Sequence, residues 1–429
     1  MALNIPGYTL LRKVNRHIKN IRNERRGLIL TPSRRIERVA PTGERIVAMT
    51  FDDGPTRLPS APDVTSGIGL TEHLLSELKQ FGARGTFDVI GSTAENYPDS
   101  PGELGSQYVF GKKYDHYAAF GLDDMAGAEA CQDLIRQIAR EGHELTNHTY
   151  RHIIYGKSRT MYGSRVTMNG LDDTVADLQR LHDLIYKLTK FEMCFTRPPH
   201  YVDGMPDGKS SFDACEAMGY HYLCASFDGG GYLPSSGDYN EDVDVMVRPL
   251  QRALEADPDS LSGQIIFQKD GYNMSRQTPI ASALRRHLEL LEQYGYRVVT
   301  VSELIANSPF TDLTPDDACF EAARDLDRAG FTLGFRNNCF YPERDVTRQE
   351  LPAIFTLPAS PTEAIPLNDK RNRSRPAAVK IERRDVATPR LIHATASEVF
   401  DTVPEPPVGT TRREVALWLH EVAAINGKL

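Results

Sequence analysis

No stretch of this chain stays apolar for the ~20 residues that a bilayer-spanning helix requires, so no helical membrane span is expected. No secretory leader is expected either. Leu11, Val14, Ile18 and Ile21 recur at helical spacing among Arg12, Lys13, Arg16, Lys19, Arg22, Arg25 and Arg26, but no apolar core of about seven residues follows those charges. The pattern reads as a basic amphipathic helix that docks on the rest of the protein or lies on an anionic membrane surface. Positive charge is not in excess either: 50 Lys and Arg against 58 Asp and Glu leave a net charge of -8 and a pI near 5.9. Such a balance argues against a general nucleic-acid binder. Cysteine is sparse, at six residues. Cys131, Cys194, Cys215 and Cys224 read as core thiols, Cys319 and Cys339 could pair with each other, and the count does not settle a redox compartment.

What the chain does have is length, 429 residues, enough for one large domain and a smaller one. Between residues 45 and 307, apolar runs alternate with helical stretches, which implies parallel strands joined by crossover helices. Seven runs qualify: Ile46 to Phe51, Thr86 to Ile90, Glu144 to Asn147, Cys194 to Arg197, Tyr222 to Phe227, Ile265 to Gln268 and Arg297 to Val301. Helical patterns between them include Leu70 to Phe81, Ala130 to Glu141, Thr174 to Thr189 and Ser282 to Tyr294.

The first run ends in Met49-Thr50-Phe51-Asp52-Asp53-Gly54-Pro55, two adjacent carboxylates meeting a Gly-Pro turn. One can hold a metal while its neighbour holds a proton. Further on, Asn147-His148-Thr149-Tyr150-Arg151-His152 spaces two imidazoles four residues apart, close enough to share an ion. Asp, His and His make three protein ligands and leave a position open, the arrangement of a catalytic rather than a structural zinc site. Taken singly, the first motif is an ordinary turn composition and the second a solvated helix face. A third element, Phe195-Thr196-Arg197-Pro198-Pro199-His200, sends an arginine from an apolar stretch into a stiff proline turn. The polar residues of all three motifs fall at strand ends, where a barrel collects its active site.

TFDDGP, then HTxxH, then RPP, in that order, resembles the polysaccharide deacetylases of the NodB-homology type, carbohydrate esterase family 4. The resemblance runs from about Arg45 to Asn307. Gly85-Thr86-Phe87-Asp88-Val89-Ile90-Gly91 looks like that family's second strand, Glu141-Gly142-His143-Glu144 like the approach to its histidine motif, and Gly295-Tyr296-Arg297-Val298-Val299 like its last strand. His143 reads as hydrogen-bonded scaffold. The resemblance implies a distorted (β/α)7 barrel. It also implies that Asp53, His148 and His152 bind a divalent metal, Zn²⁺ or a similar ion, and that Asp52 is the base that deprotonates the attacking water. Arg197 would orient Asp52, and the backbone N–H of His200, after Pro199, would hold the oxyanion. Phe267 would line the substrate side, and the substrate implied is an N-acetylated glycan.

At the penultimate strand the pattern departs. The family ends it in Leu-x-His-Asp, whereas this chain reads Ile265-Ile266-Phe267-Gln268-Lys269-Asp270. Lys269 stands where a histidine protonates the leaving amine, and an ordinary lysine, with a pKa of ~10.4, is poorly matched to acid work at neutral pH. Asp228 aligns with the aspartate that tunes that histidine and is expected to pair with Lys269 instead. The family's following tryptophan is replaced by Gly229-Gly230-Gly231-Tyr232, so the substrate groove is reshaped. A segment from Pro98 to Ala130, rich in Gly, Asp and Tyr, is either a wall of the cleft or a surface loop.

Beyond residue 307 the composition changes. Phe310-Thr311-Asp312, a helix to Ala329, then Gly330, Gly334, Phe340, Pro342 and Thr347-Arg348-Gln349-Glu350 look like an S-layer homology module, with a second motif copy at Thr411-Arg412-Arg413-Glu414. Thr-x-x-Glu before an apolar run is also a capping box that serves helix stability alone. The arginines are not needed for capping, so the resemblance implies that Arg348 and Arg412 contact a cell-wall polymer. From Asn368 to Arg390 the chain is crowded with Lys and Arg and reads as an exposed linker, without the interleaved aromatics of a nucleic-acid site.

The expected organisation is therefore a basic extension over 1–44, a deacetylase barrel over 45–307 and a mainly helical, S-layer homology-like region over 308–429. Three functions stay open: a metal-dependent deacetylase of an envelope glycan, a glycan-binding pseudoenzyme impaired by Lys269, and a cytoplasmic amide hydrolase. The expected setting is the cell envelope or the extracellular space if an export signal has been trimmed or export is unconventional, and the cytoplasm otherwise.

Overall fold

The computed structural model describes residues 28–57, 60, 68–92, 107–109, 112–114, 125–156, 167–230, 236–271, 279–356, 379–380 and 385–429. The amphipathic segment from Leu11 to Arg26, most of the 98–130 insertion and most of the basic stretch from Asn368 to Arg390 lie outside them. The chain divides into two units, Ile36–Ser308 and Pro309–Leu429 together with Met1–Arg35.

In the larger unit, strands β1 (Ile46–Asp52), β2 (Thr86–Val89), β3 (Glu144–Asn147), β4 (Phe195–Thr196), β5 (His221–Leu223), β6 (Phe227–Asp228) and β7 (Ile265–Lys269) lie in the order β6-β7-β1-β2-β3-β4-β5, with β8 (Arg297–Val299) against the start of β1. Every pairing among these eight is parallel. Helices α1 (Leu70–Gln80), α2 (Gln132–Arg140), α3 (Leu171–Thr189), α4 (Ser211–Met218), α5 (Tyr239–Ala256), α6 (Ile280–Gln293) and α7 (Val301–Asn307) supply the crossovers. A parallel sheet covered by helices, as expected for a distorted (β/α) barrel, follows from β1 to β4 being buried along their whole length.

β1 shows how the sheet is built. All seven of its residues are buried, and the alternation of side chains divides them between two layers. Val47, Met49 and Phe51 join the core under the helices, with Leu74, Leu78, Ile135 and Leu284. Ile46 and Ala48 pack inside the barrel with Phe195, Leu223, Ile265 and Val299. Phe51 stacks on Phe87 with ring centroids 4.9 Å apart, and truncating a core phenylalanine of this kind costs about 3–5 kcal/mol. Thr50 and Asp52 continue the inner row.

The single strand expected from Tyr222 to Phe227 is broken in two. Cys224 donates its N–H to Ile36 O (2.7 Å), whereas Ser226 donates its N–H to Ile265 O (3.0 Å) and accepts from Ile265 N–H through its hydroxyl (3.0 Å). The backbone changes partners across these residues, and no strand pair joins β5 to β6 among the described residues.

The smaller unit contains α8 (Phe320–Arg328), α9 (Leu351–Ile354), α10 (Pro389–Ser397) and α11 (Arg412–Ile425) around Phe310, Phe335, Phe340, Trp418 and Leu419. Thr411 and Glu414 form a capping box at the start of α11. Arg412, expected to meet a wall polymer, is 2% exposed. Its Nε donates to Phe340 O at 2.6 Å and its guanidinium pairs with buried Glu350 at 3.3 Å, beneath the rings of Phe335 and Phe340. A polymer cannot reach it, because the second motif's arginine satisfies the first motif's glutamate. Arg348 is exposed and pairs with Asp385 at 3.1 Å. The pairing suggested for Cys319 and Cys339 is also corrected: no disulfide joins them, and Cys339 Sγ lies 3.2 Å from Thr311 Oγ1. No helix among the described residues is long and apolar enough to cross a membrane.

Candidate metal centre

Asp52 is the last residue of β1, in phase with Ala48 and Thr50, and so faces into the barrel. Asp53 follows in a left-handed conformation, φ 79°, which turns its carboxylate beside that of Asp52, and its N–H donates to Asp88 O at 3.2 Å. Gly54 is required next. A Cβ there would stand 1.9 Å from Asp270 Oδ2, and that buried carboxylate is already engaged by the Thr71 hydroxyl.

The histidines come from the loop after β3. Thr149 (φ 73°) and His152 (φ 51°) are left-handed, so a loop and not a helix makes the two imidazoles converge. The loop is pinned from α3: Asp177 accepts from Tyr150 N–H at 2.6 Å and from Arg151 Nε at 2.6 Å, while Asn147 Oδ1 accepts from Thr149 N–H at 3.0 Å. His148 Nδ1 donates to Arg197 O at 2.7 Å, which leaves Nε2 as the nitrogen that could coordinate a metal.

Asp53 Oδ1 stands 3.2 Å from His148 Nε2 and 3.1 Å from His152 Nε2. All three residues are buried, and their ligand atoms lie within 4.8 Å of one another. Donors ~2.0–2.1 Å from a tetrahedral ion are about 3.3 Å apart, so these separations fit a shared divalent cation, and one carboxylate with two imidazoles is a zinc-type donor set. Burial pushes the Asp53 carboxyl up, but Lys269 and the two imidazoles more than offset this and hold it well below the carboxylate range. Burial also lowers both histidines. It prevails at His152, down to about 4, whereas the Asp53 hydrogen bond and the carboxylates of Asp52, Asp53 and Asp88 raise His148 overall.

Arg197, completely buried, stands between two acids. Its guanidinium pairs with Asp52 Oδ1, with Asp88 Oδ2 at 2.8 Å and with Thr50 Oγ1 at 3.0 Å, and donates to Cys224 O at 3.2 Å. The Phe267 ring centroid is 5.8 Å from the guanidinium carbon. Asp88 is a residue that sequence reasoning passed over. Its signal was its place in a strand beside the acidic motif, and the ladder sets it directly opposite Asp52. Burial raises its carboxyl to about 6 against the pull of Arg197.

Pro199–Tyr201 form a 3₁₀ turn in which His200 (φ 56°) is left-handed, its ring 5.9 Å from that of His152. Lys269 lies opposite Asp52 in the β7–β1 register, but its ammonium pairs with Asp53 Oδ2 and not with Asp228 as expected. Asp228 is exposed, and its carboxylate accepts from Gly230 N–H at 2.9 Å. His143 is scaffold: its Nδ1 accepts from Gly85 N–H at 3.0 Å.

The family model for polysaccharide deacetylases matches residues 39–222. A peptidoglycan-N-acetylglucosamine deacetylase of Bacillus cereus is 26% identical over 276 residues, covering 64% of this chain and 95% of its own length. A chitin deacetylase of Colletotrichum lindemuthianum is 23% identical over 271 residues, covering 62% of this chain and 81% of its own. The solved structure of the chitin deacetylase from that fungus aligns with a TM-score of 0.42 at 20% identity, over 64% of this chain and 92% of that one; the fold rests on the topology above, not on this score. With the matched segment carrying the paired aspartates, His148, His152 and Arg197, residues 39–222 are a polysaccharide deacetylase domain.

Proposed function

We propose that the centre removes N-acetyl groups from an amino-sugar glycan of the peptidoglycan or chitin type, a substrate that places the protein at a cell envelope. The observation that carries this reading is Asp53 Oδ1 near 3 Å from both histidine Nε2 atoms, with Asp52 beside it on Arg197. A divalent ion held by Asp53, His148 and His152, Zn²⁺ by the donor set, supplies polarisation of the acetyl carbonyl and acidification of a water. Asp52 takes the proton of the attacking water. Its Oδ1 is committed to Arg197, so Oδ2, 3.9 Å from His148 Nε2, is the oxygen directed at the centre. The His200 N–H donates to the developing oxyanion, and the stiff Pro198-Pro199 turn holds it there. Lys269 stands where the departing amine must gain a proton. The peptidoglycan and chitin deacetylases among the relatives support the glycan class.

Metal analysis combined with acetate release from N-acetylglucosamine oligomers tests the reading. Asp52→Asn should keep the metal and lose release by about 10²–10⁴-fold, and parental rates in that variant would sink it. Lys269→His should raise release. A second reading, a glycan-binding protein with impaired turnover, draws on the Lys269–Asp53 pair; metal and glycan binding without acetate release from any oligomer selects it. Contact of the smaller unit with a wall polymer belongs to Arg348, the exposed member of the two arginines.

A further inference from the structure

A cation already stands on the carboxylate that would bind the metal. Asp53 turns Oδ1 toward His148 and His152, and its other oxygen, Oδ2, is paired with Lys269 Nζ. Lys269 is fixed there by the fold. It occupies the β7–β1 ladder opposite Asp52, and the next residue, Asp270, donates its N–H to Asp52 O at 2.6 Å. The lysine side chain is 14% exposed and that of Asp53 2%, so water and salt screen the pair poorly.

We propose that Lys269 is a resident counter-cation of Asp53 that weakens divalent-metal binding at this centre and confines Asp53 to coordination through Oδ1, an inference that rests on the metal reading above. The donor set, one carboxylate and two neutral imidazoles, carries a single negative charge, and Lys269 cancels it before an ion arrives. Asp52 offers little compensation, because its Oδ1 is held by Arg197, which Asp88 shares. The centre without metal therefore sets Arg197 between Asp52 and Asp88 and gives Lys269 to Asp53. An incoming cation must share Asp53 with the ammonium and meets its repulsion at short range in a poorly screened interior. Partners of a metal ligand shift affinity by about 10–100-fold, and removal of a competing cation shifts it toward tighter binding.

The test titrates Zn²⁺ and Co²⁺ into the full-length protein, by calorimetry or competition with a chelator. Lys269→Gln removes the charge and keeps an N–H donor, Lys269→Arg keeps the charge, and Lys269→Met replaces the Gln variant should that fail to fold. The neutral variant should bind Zn²⁺ about tenfold or more tightly than the parent, with the Arg variant near the parent. In the absence of metal the neutral variant should unfold at lower denaturant, since Asp53 has lost its partner. Zn²⁺ affinity in a folded neutral variant equal to or below the parent's overturns the proposal. Failure of the metal reading itself looks different: neither parent nor neutral variant binds a divalent ion, and both proposals fall together.

Discussion

Asp52 and Asp88 face each other across the β1–β2 ladder, and the guanidinium of Arg197 lies between them, paired with both. Two buried carboxylates on adjacent strands repel, and only this arginine makes the arrangement tolerable. Arg197→Met should therefore destabilise the larger unit by about 3–5 kcal/mol, the scale for leaving a buried charge without its partner. The unfolding midpoint in urea measures it, and a loss below ~1 kcal/mol would contradict the need of the two carboxylates for this shared partner.

Asp177 acts on the centre through the loop that carries the histidines. Its carboxylate fixes Tyr150 N–H and Arg151, so Asp177→Ala should release the left-handed turn that aims His152. Zn²⁺ affinity should fall by about 10–100-fold, while Asp177→Asn, which keeps an acceptor, should lose less. Identical affinities in parent and Ala variant would show that the loop holds its shape unaided.

Acid should destabilise the larger unit through two histidines outside the centre. Burial depresses His143 and His287 to about 4, and His287 is held neutral between Gln268 Nε2 at 2.9 Å and Met246 O at 3.1 Å. An unfolded histidine titrates near ~6.5. Below that pH the unfolded chain binds protons that the folded one refuses, so stability falls from pH ~6.5 down to 4, by up to about 3 kcal/mol per residue. Denaturation midpoints of the parent and His287→Gln across this window test the sign: the variant should show the shallower slope.

In the smaller unit, Arg412→Met leaves Glu350 facing Arg344 alone. It also strands the carbonyls of Phe340 and Leu333 and should lower stability by about 1–3 kcal/mol, whereas Arg348→Ala, at an exposed pair, should change it by less than ~1 kcal/mol. Circular dichroism during thermal unfolding separates the two. Equal effects would contradict the buried and exposed placements.

Much of the centre was legible because its chemistry is written locally. An Asp-Asp pair leaving a buried strand, two histidines four apart and an arginine before two prolines each declare a residue type and a strand end. The split of β5 from β6 was not legible, since Tyr222 to Phe227 is apolar enough for one strand and only the competing partners Ile36 and Ile265 break it. Asp88 was hidden for a related reason: alternation assigns it a face, but register alone puts it opposite Asp52.

By itself, then, the sequence determined the alternation of strands and helices, the three candidate ligands and the candidate base, because side-chain type and periodicity are properties of short segments. Tertiary structure decided which charge meets which: Lys269 on Asp53 and not on Asp228, Arg197 shared by two aspartates, Arg412 buried against Glu350 and not offered to a polymer. Those pairings join residues far apart in the chain, and the energy of a buried charge depends on the partners and screening that folding brings to it, which no local pattern encodes.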